Sequence, residues 1–227
     1  GVEWRQFRGN AAGGVADAEV PVDWSQGAPV AWAAELVGRG LSSPIVVGGQ
    51  VIVTCSSGPA QRRLHVLSFD AASGERQWER QFWATGRTTC HSTTCVAAPT
   101  PTSDGERIFA FYSSNDVAGL DLDGNLLWYR GLSHDYPTAS NSLGMASSPI
   151  VVDGTLVLMV ESDADSFTTG LDVETGVTRW RIERPRRSNW TSPVVWTDEQ
   201  DGTSRVLLQS SAGVSAVDPL TGEEVWT

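Results

Sequence analysis

The segment Cys90-His91-Ser-Thr-Thr-Cys95 holds the densest group of reactive side chains in this 227-residue sequence. As a zinc site it offers at most three ligands, and no second pair of Cys or His residues lies at the usual spacing. Covalent haem attachment requires Cys-x-x-Cys-His, which is absent. The spacing favours a disulfide between Cys90 and Cys95 that closes a short loop, with His91 exposed nearby and Cys55 free on a predicted strand.

A second group consists of the carboxylates Glu161, Asp163 and Asp165. Alternating acids can bind Ca²⁺, but an EF-hand-like loop needs Gly at its sixth position. Counted from Asp163, the sixth residue is Thr168. The pattern therefore predicts a solvated acidic loop, and the sequence assigns neither a metal site nor a catalytic residue.

Composition excludes several function classes. All 16 basic residues are Arg, so no Lys is available for Schiff-base or P-loop chemistry. The net charge of −11 argues against nucleic acid or an anionic membrane surface as the main partner. No apolar run approaches the ~18 residues of a membrane helix, so no membrane insertion is expected. Nothing after Gly1 resembles a signal peptide, so we expect any such peptide to be removed or never present.

The elements that must position these groups come from a repeat, Asp-x-x-(Ser/Thr)-Gly-x-x-x-Trp. Its four Asp residues are separated by 51, 51 and 46 positions, and a period near 50 is typical of propeller or solenoid arrays. The second copy is one residue shorter and lacks the Ser/Thr. The repeated residues are Asp70, Gly74, Trp78; Asp121, Gly124, Trp128; Asp172, Gly176, Trp180; and Asp218, Gly222, Trp226.

Each repeated residue has a structural role. The Asp bonds the backbone of a turn, and the Gly supplies the positive φ where the hairpin reverses. The Trp offers a large rigid surface for stacking one blade on the next, and the residue two before each Asp is small. Upstream, a small-residue-Pro signature starts an inner strand in every copy.

These patterns predict an all-β fold, a β-propeller of four-stranded antiparallel blades with four blades present. The blades are predicted at about 42–83, 96–132, 146–184 and 190–227. An outer Trp strand is predicted at 29–37, and residues 1–28 form an irregular lead-in to the blades at 29–227. The lone strand at 29–37 has no obvious blade to complete.

The four copies resemble the repeat of the pyrroloquinoline-quinone (PQQ)-like β-propeller superfamily. It includes quinoprotein alcohol dehydrogenases and the propeller lipoprotein of the outer-membrane assembly machinery. The opening Trp4-x-Gln6-Phe7-Arg8-Gly9 is similar to that of exported bacterial members. The resemblance implies seven or eight blades, so we expect about half a ring, completed by the rest of a propeller or by a second copy. It also implies a periplasmic or otherwise exported protein.

The resemblance implies two function classes. Quinoprotein dehydrogenases of alcohols or sugars hold PQQ with Ca²⁺, a catalytic Asp and a disulfide between adjacent Cys residues. This sequence has no adjacent Cys pair and no acid that matches the catalytic Asp by motif. A dehydrogenase, or a degenerate relative, is therefore the alternative hypothesis. The leading one is a non-catalytic, cofactor-free scaffold that binds a protein or envelope polymer.

Function must then reside in loops. In a blade meander, the blade-to-blade connections and the loops between the two middle strands emerge on one side, called here the loop face. A mixed polar and aromatic surface is expected there. Arg184 to Arg187 could grip an acidic group, although a solvated basic turn is the simpler interpretation. The predicted ligand-binding residues are Arg39, His91, Asn115, Asp116, Asn141, Asn189 and Trp190.

Overall fold

The structure is a computed structural model and describes residues 3–10, 13–15, 23, 25, 27, 30–140 and 142–227. Its described residues form four antiparallel sheets of four strands, and in each sheet the strand order follows the chain. The predicted all-β architecture of four-stranded blades is confirmed. Within the described ranges no helix is long and apolar enough to cross a membrane.

The strand bounds define the blades. Blade 1 contains β1 Ile45–Val47, β2 Gln50–Ser57, β3 Arg63–Asp70 and β4 Arg76–Trp83. Blade 2 contains β5 Thr102–Ser103, β6 Arg107–Phe111, β7 Asp116–Asp121 and β8 Leu126–Gly131, followed by the short helix α1 Leu132–Asp135. Blade 3 contains β9 Ile150–Val152, β10 Thr155–Val160, β11 Phe167–Asp172 and β12 Thr178–Glu183. Blade 4 contains β13 Val194–Thr197, β14 Ser204–Ser210, β15 Gly213–Val217 and β16 Glu224–Trp226.

The hairpin between the last two strands of each blade is built on the repeated Asp and Gly. In blade 3, Asp172 Oδ1 accepts hydrogen bonds from the backbone N–H (2.9 Å) and the hydroxyl (2.8 Å) of Thr175. Gly176 has φ 69°, a conformation that a Cβ disfavours. Blade 2 lacks the Ser/Thr, and there Asn125 donates to Asp121 from its backbone and its side-chain amide.

The Trp of one blade packs on the hairpin turn of the next. Each ring lies where the Cβ of any residue other than the turn Gly would collide with it. The indole N–H bonds are Trp78 to Leu122 O (3.0 Å), Trp128 to Val173 O (2.9 Å) and Trp180 to Pro219 O (2.8 Å). The apolar core accordingly lies between the blades, in one cluster for each neighbouring pair.

The N-terminal segment differs from the prediction. Residues 30–37 form no strand, and they have no place in any of the four described sheets. Trp32 nevertheless occupies the first turn, since its indole donates to Ala71 O (3.0 Å) and its ring lies over Gly74. Trp4 forms a single bridge with Val46, which adds part of the lead-in to the edge of β1.

Blade 4 has one face that no described blade covers. Trp226 is 42% exposed and has no turn to pack on, although its ring contacts Trp196 edge-on at 6.3 Å. Val194 and Val214 are also exposed large hydrophobic residues of this blade. Among the four repeated Trp residues, Trp226 is therefore the one that packs on no described hairpin turn.

Candidate functional site

The loops meet on one face through specific hydrogen bonds. After blade 1, the Thr85 backbone N–H and hydroxyl donate to the Asp116 carboxylate of blade 2 (3.0 and 2.5 Å). After blade 3, the Ser188 backbone N–H donates to Asp163 Oδ1 (3.0 Å) in the middle loop of the same blade. Both connections are thus tied to a middle-strand loop, so these segments lie on one face.

A cavity of about 560 Å³ opens at the centre of this face, where the inner strands begin. A smaller cavity of about 230 Å³ adjoins it and shares Thr94, Ala146 and Trp190 with it. We call the two together the mouth. Arg8 is the only described residue of its lining with a permanent charge, and no described lining residue is Asp, Glu or Cys. Six of the described residues that line the larger cavity carry a hydroxyl: Ser43, Thr94, Thr100, Ser148, Thr191 and Ser192.

Four of these hydroxyl residues link the blades around the axis. The backbone N–H of Ser43 donates to Thr100 Oγ1 (3.0 Å), and the N–H of Thr100 donates to Ser148 Oγ (3.0 Å). The N–H of Ser148 then donates to Ser192 Oγ (2.9 Å). The bonds all run from one blade to the next. Sequence reasoning missed this relay because it treated these positions only as small, although a Ser or Thr at corresponding inner-strand positions was the available signal.

Two of the predicted binding residues meet in the mouth. His91 and Trp190 line the same smaller cavity. The Trp190 indole donates to Gly144 O (2.8 Å), which fixes the ring while leaving the residue 44% exposed. His91 Nδ1 lies 2.8 Å from Thr93 Oγ1, and Arg39 is held beside this loop by its bond to Ser92 O (2.9 Å).

Three other predicted binding residues support the fold instead. Asn115 is 2% exposed, and its side-chain amide donates to Ala139 O (2.5 Å). Asp116 is fully buried, and its carboxylate accepts hydrogen bonds from neighbouring hydroxyls and a backbone amide. Neither is accessible to a ligand, which corrects the prediction. The Asn189 amide donates to Glu161 Oε2 and to Gln209 O, both at 2.7 Å, so it braces the loop before Trp190. Asn141 lies outside the described residues.

The acidic loop is also more internal than predicted. Glu161 is 1% exposed, and its Oε1 accepts a hydrogen bond from Arg184 Nε at 2.7 Å. A buried carboxylate needs such partners, because burial removes its hydration. Across the described part of the chain, no group of three or more His, Cys, Asp or Glu residues is placed to hold a metal ion.

The predicted disulfide does not form in the structure, where Cys55, Cys90 and Cys95 are free thiols. Cys90 Sγ accepts a weak hydrogen bond from Gln61 Nε2 (3.6 Å), whereas Cys95 lies in the core between blades 1 and 2. Burial raises the pKa of the Cys55 thiol to about 11 and also raises the pKa of Cys95. The two buried thiols are therefore poor nucleophiles.

Comparison with solved structures identifies the same architecture. BamB from Moraxella catarrhalis is 23% identical, with a TM-score of 0.55 over 86% of this chain and 54% of that chain. Quinohemoprotein alcohol dehydrogenase from Comamonas testosteroni is 19% identical, with a TM-score of 0.59 over 83% and 35%. Quinohemoprotein alcohol dehydrogenase ADHIIG from Pseudomonas putida is 17% identical, with a TM-score of 0.56 over 85% and 34%. These likenesses show the fold.

No curated protein matches the chain. The chain spans about half the length of the BamB structure and about a third of each dehydrogenase. The family described as outer membrane protein assembly factor BamB matches residues 17–162 and 142–227, which together cover most of the sequence. The chain, with its four blades and their repeated Asp, Gly and Trp, therefore belongs to the BamB family of PQQ-like β-propellers.

Proposed function

We propose that this chain is a non-catalytic binding module of the bacterial cell envelope that presents its loop face to a protein or an extended ligand. The chemistry of the mouth carries the proposal. An exposed indole and a set of hydroxyls surround a cavity whose described lining has no carboxylate or thiol. Such a surface can stack on and hydrogen-bond a ligand. His91 is the one imidazole in the described lining, and its Nδ1 lies beside the Thr93 hydroxyl, so no described carboxylate orients it as a catalytic base.

The family supports the location and the kind of partner. Its description, an outer membrane protein assembly factor, favours an exported protein that contacts other proteins. The rigid blades support this role as well, because they hold varied loops in fixed positions. Export is testable directly, by fractionation of the bacterium that encodes the protein, and recovery in the cytoplasm would contradict it.

Site-specific cross-linking tests the binding face. A photoreactive benzoyl-phenylalanine replaces Trp190 in the mouth or, as a control, Val177, an exposed residue of a hairpin turn on the opposite face. We expect irradiation of living cells to yield a discrete cross-linked protein or polymer from position 190 and none from position 177. Equal products from both positions, or none from position 190, would contradict the proposal.

A PQQ-dependent dehydrogenase is the alternative, because two of the matched folds belong to quinohemoprotein alcohol dehydrogenases. A quinone with Ca²⁺ needs several oxygen ligands, among them carboxylates, and the described lining of the mouth contains no carboxylate. The residues present do not fit this group. Addition of PQQ and Ca²⁺ with a dye acceptor and alcohols tests the alternative, and tight binding with dye reduction would replace our proposal.

We also propose that a further blade of the same repeat type covers the open face of blade 4. Each of the four described hairpin turns is already covered by a Trp, namely Trp32, Trp78, Trp128 and Trp180. No described turn therefore remains for Trp226 to pack on. A second copy of this chain would offer no vacant turn. Sedimentation should therefore find a monomer, whereas a dimer that Trp226→Ala dissociates would favour the second copy.

A further inference from the structure

The arginines of this acidic protein divide into two groups by their partners. Eight of the 16 lie within 4.0 Å of a carboxylate. The other eight form no ion pair with a described residue, and five of those lie in the loops and connections of the loop face. These five are Arg39, Arg62, Arg87, Arg186 and Arg187.

Five carboxylates of the same face already have partners, which are arginines in three cases and neutral hydrogen-bond donors in two. Asp116 and Glu161 are buried and hydrogen-bonded, Asp165 pairs with Arg181 (2.9 Å), and Asp135 pairs with Arg130. Asp163 accepts hydrogen bonds from Ser188. The five unpaired arginines therefore outnumber Asp116 and Asp163, the two of these carboxylates without an arginine partner, on the loop face of a protein whose net charge is −11.

Two of the unpaired arginines line one cavity. It has a volume of about 470 Å³ and lies between the middle loop of blade 1, the connection at 85–89 and the segment that contains α1. Its described lining contains Arg62 and Arg87 and no acid. The hydroxyls of Thr88 and Thr89 in this lining bond no described residue. A second cavity of about 340 Å³ shares Arg87 and Thr89 and is also lined by Asp163, whose carboxylate is occupied by two hydrogen bonds from Ser188. We call the two cavities together the arginine groove.

The loop that carries Arg62 is held in a strained conformation. Ala60 and Gln61 have φ of 52° and 55°, which costs a residue with a Cβ about 1 kcal/mol or more each. The Gln61 side chain compensates, because its Oε1 accepts from Ser56 Oγ (2.9 Å) and from the Val96 backbone N–H (3.1 Å). Arg62 therefore starts from a fixed backbone position, which lowers the entropy cost of binding through its side chain.

We propose that the arginine groove binds an acidic segment of a protein partner, with Arg62 and Arg87 each bonding a side-chain carboxylate. The guanidinium fork matches a carboxylate in two parallel hydrogen bonds, and the hydroxyls beside it suit a peptide backbone. Two adjoining cavities that share Arg87, one of which is also lined by Arg62, fit an extended chain with more than one acid. The inference rests on the proposed binding role of the loop face, yet the groove shares no described residue with the mouth.

Fluorescence anisotropy tests the groove with a labelled peptide of alternating Glu and Ser, against the same peptide with Gln in place of Glu. We expect the unmodified protein to prefer the Glu peptide, with an affinity that falls as salt rises. The double variant Arg62→Gln, Arg87→Gln should weaken binding about tenfold or more. The matched control Arg186→Gln, Arg187→Gln removes the same charge from the same face and should change affinity less than about threefold.

Two outcomes would overturn the proposal. One is equal affinity for the Glu and Gln peptides, and the other is an equal loss of affinity for the Glu peptide in the two double variants. Binding of inorganic phosphate or phosphatidylglycerol vesicles with the same variant dependence would assign the groove to a small oxyanion or a membrane instead. Thermal melts of both double variants should match the parent protein, because all four replaced arginines are exposed. If the groove does not bind the Glu peptide, cross-linking at Trp190 can still succeed, so the two proposals can be refuted independently.

Discussion

The indole nitrogen of Trp128 lies 2.9 Å from the carbonyl oxygen of Val173, and this hydrogen bond joins the last strand of blade 2 to the hairpin turn of blade 3. The ring also lies over Gly176, where a Cβ would approach its Cε3 to 2.6 Å. The same pair of contacts recurs at every junction between described blades. The repeated Trp and Gly of the sequence are therefore two halves of one inter-blade contact.

Replacement of Trp128 by Phe should destabilise the chain by about 1–3 kcal/mol, because it leaves the buried Val173 carbonyl without its donor. Trp226→Phe is the matched control, since this indole packs on no turn and is 42% exposed. It should change the free energy of unfolding by less than about 0.5 kcal/mol. Urea unfolding followed by far-UV circular dichroism measures both. Equal losses would mean that the indole bond to the next blade contributes nothing.

The blades could be predicted from the sequence because their signals are local. Asp172 and Thr175 bond one another across three residues, and Gly176 needs a positive φ whatever surrounds it. Because every copy forms the same kind of turn, the same residue types recur at nearly the same spacing in each copy. The position of Trp180 on the following turn is also predictable, since every copy presents both halves of the contact.

The site was harder to predict because burial in loops depends on distant partners. Asn115 looks like an exposed loop residue, but the carbonyl of Ala139, 24 positions away, draws its amide inside. Asp116 is buried by Thr85, 31 positions away. The strand order alone predicts that the loops of His91 and Trp190 lie on the loop face. Their meeting in one cavity required the three-dimensional arrangement.

Acid should weaken blade 3 through Asp172. The hydrogen bond from Arg179, with those from Thr175, lowers the pKa of this carboxyl from its usual 3.8 to about 2. A group with a lowered folded-state pKa stabilises the fold above its unfolded pKa, and the contribution disappears as pH falls through the folded value. The stability difference between the parent and Asp172→Asn should therefore be largest above about pH 4 and shrink toward pH 2. A difference that stays constant over this range in urea titrations would contradict the assignment.

The thiols should differ in reactivity. Cys55 and Cys95 are fully buried with raised pKa values, whereas Cys90 is only partly buried. Iodoacetamide at about pH 8 should therefore label Cys90 alone in the folded protein, and Cys90→Ser should abolish the labelling. In denaturant all three cysteines should react. A purified protein with a single reactive thiol in denaturant would instead indicate a Cys90–Cys95 disulfide.

The hydrogen bonds of Ser and Thr hydroxyls around the axis can be tested with two adjacent serines, because Ser148 takes part in them and Ser147 does not. Ser148 Oγ accepts the backbone N–H of Thr100 at 3.0 Å, and both residues are buried. Ser148→Ala should leave that N–H without an acceptor and destabilise the chain by about 1–3 kcal/mol. Ser147 is equally buried, but its hydroxyl has no hydrogen-bond partner among the described residues, so Ser147→Ala should be neutral or slightly stabilising. Urea unfolding of the two variants side by side compares the same chemical change at neighbouring positions. Similar losses in both would mean that the Ser148 bond between blades 2 and 3 does not stabilise the ring.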